Sequence, residues 1–159
     1  MINHFYDKHK LIKKYEMKVK LMGLFDKLAG TRTVELNPKS ALVLTALTVV
    51  AADGVIDEAE MLDLAKIVRG DKKSIDDAIK VLKANSLEAS MDLVTNCLNE
   101  KQKIATLAIV IDIAMADGVL AENEQKLIQM YISKFGISED VLKPIFDTVA
   151  IKNDFSIFK

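Results

Sequence analysis

Nine residues from Ala52 to Glu60, Ala-Asp-Gly-Val-Ile-Asp-Glu-Ala-Glu, recur at 116–124 as Ala-Asp-Gly-Val-Leu-Ala-Glu-Asn-Glu. The offset is 64 residues, six of the nine positions are identical, and Asp53 pairs with Asp117, Gly54 with Gly118, Glu58 with Glu122 and Glu60 with Glu124. Clustered carboxylates are hard oxygen donors, and the chemistry they suit is the holding of a hard divalent cation: Ca²⁺, Mg²⁺ or Mn²⁺. In the register of a Ca²⁺-binding loop the first copy places Asp53, Gly54, Ile56, Asp57 and Glu60 at positions 5, 6, 8, 9 and 12. Positions 1 and 3 fall on Val49 and Ala51, and in the second copy on Ile113 and Met115, which offer no side-chain oxygen. Ca²⁺ takes about six to eight oxygens, so one corner supplies too few. Two corners brought together supply enough. The expected site is therefore Asp53, Asp57 and Glu60 with Asp117, Glu122 and Glu124, as one cluster or two adjacent ones.

The same residues also serve structure. Asp57 with Glu60 spells a capping box, carboxylates are favoured at helix N-termini, and Asp-Gly closes a turn without any ion. The second copy has Ala121 where the first has Asp57, which breaks the symmetry of a shared site. Asp112 stands among Ile109, Val110, Ile111 and Ile113, and its repeat partner is Thr48. A carboxylate inside an apolar helix must be paired, hydrogen-bonded or protonated, so Asp112 reads either as a bond to a neighbouring helix or as a further member of the acidic site.

Helices must position these groups. Each copy closes an apolar run and opens an amphipathic one, which gives two helix, Asp-Gly corner, helix repeats with Gly54 and Gly118 as turn glycines. Asn37-Pro38 starts the first helix, which runs to about 52, is apolar nearly all round and belongs in the middle of the fold. The second starts at Asp57 and stops at Arg69-Gly70; Ser74 with Asp77 starts the third. Asn85-Ser86 separates it from a fourth, and Asn99 with Gln102 opens the fifth, the apolar counterpart of the first. The sixth buries Leu127, Ile128, Tyr131 and Phe135 and stops at Gly136. Ser138 begins the last, which Pro144 should bend or restart. The apolar tail Phe155, Ile157 and Phe158 is expected to dock on the body or on a partner. No stretch alternates with period two, so the fold class is all-α, a compact bundle of six or seven helices with internal duplication.

Composition narrows the function. Residues 1–21 hold six Lys against Asp7 and Glu16, leaving 16 basic and 21 acidic side chains in the rest. An acidic body argues against nucleic acid as a partner. The domain reading is a basic N-terminal extension, 1–21, poorly ordered or amphipathic, ahead of a helical domain at 22–159; Met22-Gly23-Leu24-Phe25-Asp26 reads as an alternative natural start. No apolar run reaches the roughly 20 residues of a transmembrane segment. A single cysteine, Cys97, excludes an intrachain disulfide and fits a cytoplasmic setting. Both histidines, His4 and His9, lie in the extension, no nucleophile has a base nearby, and no phosphate loop is present, so the chain reads as no enzyme and its catalytic residues as none.

The doubled Ala-Asp-Gly-x-x-x-x-x-Glu motif at the ends of two apolar helices, with Met22-Gly23-Leu24-Phe25-Asp26 ahead, resembles the TerB-like tellurite-resistance proteins and the related N-terminal domain of a membrane-anchored DnaJ-like co-chaperone. The resemblance covers roughly residues 23–151 and implies an all-helical bundle with pseudo-symmetry and an acidic metal-binding surface. It also implies a non-enzymatic role in bacterial stress responses and protein partners at the inner membrane. Asp53, Glu60, Asp117 and Glu124 match the motif's acids; Asp57 has no acidic counterpart at Ala121. The chain carries no J-domain motif, unlike the whole co-chaperone. The competing readings are a protein-interaction scaffold in which the corners are only caps, and a carboxylate-dependent hydrolase.

Overall fold

Asn37 accepts the Ser40 N–H at 2.9 Å while the Ser40 hydroxyl takes the Asn37 N–H at 2.8 Å, a capping box that starts α1 at Pro38–Val50. With no charge after Lys39, every residue of α1 from Ala41 onward except Leu42 is buried. Among the described residues it is the most deeply buried helix. The computed structural model describes residues 34–53, 58–116 and 119–159. Readings that concern residues 1–21, including the extension and the Met22 start, lie outside these.

After α1 comes a 3₁₀ turn, Ala51–Asp53, then α2 (Glu58–Ile67), α3 (Lys72–Ala84), α4 (Leu87–Cys97), α5 (Glu100–Ala114), α6 (Glu122–Phe135) and α7 (Glu139–Asn153), with a second 3₁₀ turn at Phe155–Phe158. Among the described residues seven helices and two turns occur and no strand, which fits the all-α expectation. α1 packs against α3, α4, α5 and α6; α5 packs against α6 and α7. Core residues from several helices, Leu44, Leu47, Leu64, Met91, Leu107, Ile111, Ile128 and Tyr131 among them, are almost completely enclosed. Thr48 reaches across that core to the Tyr131 hydroxyl at 2.8 Å. The Thr48 hydroxyl also donates to the Thr45 carbonyl at 2.8 Å.

Local start and stop signals act largely as the sequence indicates, with two corrections. The third helix begins earlier than Ser74: Asp71 is its cap, accepting the Ser74 N–H at 3.2 Å and the Ser74 hydroxyl at 3.0 Å. Those two bonds hold the Asp71 carboxyl below its ordinary pKa. Asp77, expected to help start the helix, instead pairs with Lys73 one turn earlier. Pro144 does not restart α7, which is continuous from Glu139 to Asn153. Its missing N–H costs one intrahelical bond, to the carbonyl of Asp140 one turn earlier, and the helix continues through it.

Two helices end in the same six-residue motif with different residues at the left-handed position. At α6, Gly136 (φ 66°) donates to the Ser133 carbonyl and Ile137 to the Ile132 carbonyl. At α2, Arg69 (φ 52°) donates to Lys66 and Gly70 to Ala65. Both are Schellman closures, and in the second an arginine occupies the place glycine usually fills.

Candidate functional site

Each corner is entered from the C-terminus of an apolar helix and left at the N-terminus of an amphipathic one, and the entry geometry is the same in both. Ala51 (φ −81°, ψ 15°) donates to the carbonyls of Leu47 and Val49; Met115 (φ −98°, ψ 11°) donates to those of Ile111 and Ile113. These are equivalent positions at the 64-residue offset, and α2 and α6 begin at the equivalent residues Glu58 and Glu122. Away from the corners the halves diverge: α5 starts at Glu100, two residues short of the counterpart of Pro38, and α2 has 10 residues against 14 in α6. The described elements match locally at the corners; a duplicated fold is not established by them. The turn Ala51–Asp53 packs on α6, the helix that the second corner opens.

Of the expected site residues, Gly54, Asp57, Asp117 and Gly118 lie outside the described residues, as do the side chains of Asp53 and Glu60. The remaining three acids each have a structural partner. Glu124 accepts the Ala121 N–H at 2.9 Å, which is half of a capping box, since Ala121 has no side chain to return the bond. Glu122, at the start of α6, pairs with Lys126 one turn later at 2.7 Å on an exposed face. Among the described residues no group of three His, Cys, Asp or Glu side chains is placed to hold a metal ion.

Asp112 differs most from expectation. It is half-exposed rather than enclosed, because α5 turns only one face to the core and Asp112 falls on its edge. Its Oδ1 accepts Lys152 Nζ at 2.7 Å and Asn153 Nδ2 at 3.1 Å, both from the last turn of α7. Of the two readings of this residue, the structure displays the bond to a neighbouring helix. Asp112 and Lys152 also form part of a cleft of about 280 Å³ between α2, α5 and α7, with Asp63, Lys66, Ile67, Ile109, Ile113 and Ala116. Asp63 and Lys66 pair with each other at 2.9 Å, so the cleft has an apolar floor and two neutralised ion pairs on its walls. Sequence reasoning missed Asp63, Lys66 and Lys152. Asp63 and Lys66 carry only the signal of an exposed helix face, and nothing local to Lys152 announces a partner 40 residues away.

No reactive thiol adds to this chemistry. Cys97 Sγ donates to the Leu36 carbonyl at 3.4 Å, and burial pushes its pKa up, away from the thiolate. The apolar tail does not dock on the body: Phe155 is 72 %, Ile157 56 % and Phe158 78 % exposed, and the two rings contact each other with centroids 6.1 Å apart.

An all-helical bundle built on a buried first helix, with two Ala-Asp-Gly corners left at equivalent positions, defines a class of small helical modules. The family described as Tellurite resistance protein TerB matches residues 39–144, more than half of the chain. The chain belongs to the TerB family. No curated protein and no solved structure gave a match. Among the described residues no helix is long and apolar enough to cross a membrane.

Proposed function

We propose that this chain is a non-enzymatic binding module of bacterial stress response, tellurite resistance included, whose two acidic corners together take a divalent cation of the Ca²⁺, Mg²⁺ or Mn²⁺ class. The observation that carries the reading is the placement of the turn Ala51–Asp53 against α6, the helix leaving the second corner, with both corners entered through matching caps. Asp53, Asp57, Glu60 and Asp117 are the acids on which the site depends. Glu122 joins by releasing an exposed lysine, whereas Asp112 joins only by giving up Lys152 and Asn153. The module acts in the cytoplasm, at the inner-membrane periphery, through protein partners.

Calorimetric titration of each ion into chelator-treated protein tests this. Binding in the wild type, lost or weakened at least tenfold in Asp53→Asn/Asp117→Asn, is the expected result. Absence of heat at millimolar metal for all three ions defeats it. A second reading, an interaction scaffold that needs no metal, is favoured by the exposed Phe155, Ile157 and Phe158. It predicts partner capture that survives the double substitution and fails when these three are replaced by Ser.

A further inference from the structure

The second half of α7 is held differently from the rest of the bundle. Residues 145–158 lie beyond the family-matched segment, which ends at residue 144. Pro144 removes one intrahelical hydrogen bond where this half begins, a local weakness in an otherwise regular ladder. Past it, Val149 is the one buried residue of the helix, while Ile151 and both phenylalanines of the following turn face solvent. The side-chain hydrogen bonds to α5 converge on a single atom: Lys152 Nζ and Asn153 Nδ2 both donate to Asp112 Oδ1. Asp154 then caps the apolar turn by accepting the Ser156 N–H at 3.0 Å, so the turn moves with the end of the helix.

Lys152 at the same time forms part of the cleft whose floor includes Ile109 and Ile113. Moving this half of α7 would withdraw Lys152 from the cleft and widen access to that floor. Val149, the half-buried Ile145 and Phe146 and one half-exposed carboxylate are a weak hold beside α1, which is buried from Ala41 onward except at Leu42, and segments with few buried contacts open well below the free energy of global unfolding.

We propose that residues 145–158 form a hinged strap: Pro144 is the pivot, Asp112 is the latch, and the strap opens as one unit to expose the apolar floor of the α2–α5–α7 cleft. This does not depend on the cation reading of the corners. Hydrogen exchange followed by mass spectrometry on the full chain tests it, with Asp112→Ala cutting the latch from α5 and Lys152→Met cutting it from the strap while keeping its aliphatic stem. In the wild type, peptides within 145–158 exchange together and faster than those of α1. Each variant speeds them about three- to tenfold, the range set by losing a part-exposed ion pair with one further hydrogen bond. Exchange in α1 and α3 stays unchanged. The proposal is overturned by wild-type exchange in 145–158 as slow as in α1, by no acceleration in either variant, or by an acceleration spread evenly over the whole chain.

Discussion

Replacing Arg69 by glycine should stabilise this protein, and replacing Gly136 by alanine should destabilise it. The two positions close α2 and α6 with the same pair of backbone hydrogen bonds and similar positive φ, 52° and 66°. An L-residue in the left-handed region costs about 1–2 kcal/mol through the clash of its Cβ with the following carbonyl. Glycine avoids that clash but gives back about 0.5–1 kcal/mol by widening the unfolded ensemble. The difference leaves a gain of about 0.5–1 kcal/mol for Arg69→Gly and a loss of about the same size for Gly136→Ala. A Cβ built at Gly136 meets nothing within 4 Å, so the loss is purely conformational, and the exposed Arg69 side chain has no enclosed packing to forfeit. Urea unfolding followed by far-UV circular dichroism measures both, and the corresponding shifts in Tm are about 1–4 °C in opposite directions. Two changes of the same sign would show that the arginine is not strained where it stands, and the cap argument would fall.

Further outcomes follow from the core and the helix starts. Burial pushes the Tyr131 pKa up to about 12 from 10, against the weaker opposing pull of its bonds to Thr48 and Thr45. A raised phenol pKa contributes stability that is whole below pH 10 and drains away as the pH climbs through 12, about 2–3 kcal/mol in all. Urea titrations at pH 8 and pH 11.5 should display that loss in the wild type and a smaller one in Tyr131→Phe. Thr48→Val takes away one of the two hydroxyl partners of the buried Tyr131 hydroxyl and should cost about 1 kcal/mol in the same assay. Asn37→Ala and Asn99→Ala each delete half of a capping box and should cost about 1 kcal/mol in the same assay, adding in the double variant because the sites share no partner.

The parts of this fold written in short-range chemistry are the ones the chain displays openly. Asn37 and Asn99 cap as Asn before a run of helix formers should, Gly136 stops α6, and the uncharged stretch Ala41–Val50 goes to the centre because no face of it tolerates water. The start of the helix at Lys72 turns on a choice between two neighbouring caps. Asp71 and Ser74 are both good N-cap residues, and only the fold decides that Ser74 sits inside the helix and donates to Asp71. Among its β-branched sequence neighbours Ile109, Val110, Ile111 and Ile113, Asp112 reads as enclosed. Those neighbours point to different faces, and the partner that defines its environment, Lys152, comes from a helix 40 residues later.

The acidic corners carry the same lesson further. Their repeat is legible to the residue, and the backbone honours it at both ends of the corner, in the caps of Ala51 and Met115 and in the starts of α2 and α6. Identical entry and exit fix where a loop begins and ends, whereas binding depends on where its oxygens point. Glu124 shows the distinction: the residue that the repeat aligns with Glu60 spends one oxygen on the Ala121 N–H. A cation at the second corner must either leave that bond intact, using the other carboxylate oxygen, or compete with it. Glu124→Gln separates these cases, since a glutamine oxygen still accepts the Ala121 N–H but contributes no charge to a metal. Unchanged stability with metal affinity reduced about tenfold would assign Glu124 to both tasks; unchanged stability with unchanged affinity would leave it a cap alone.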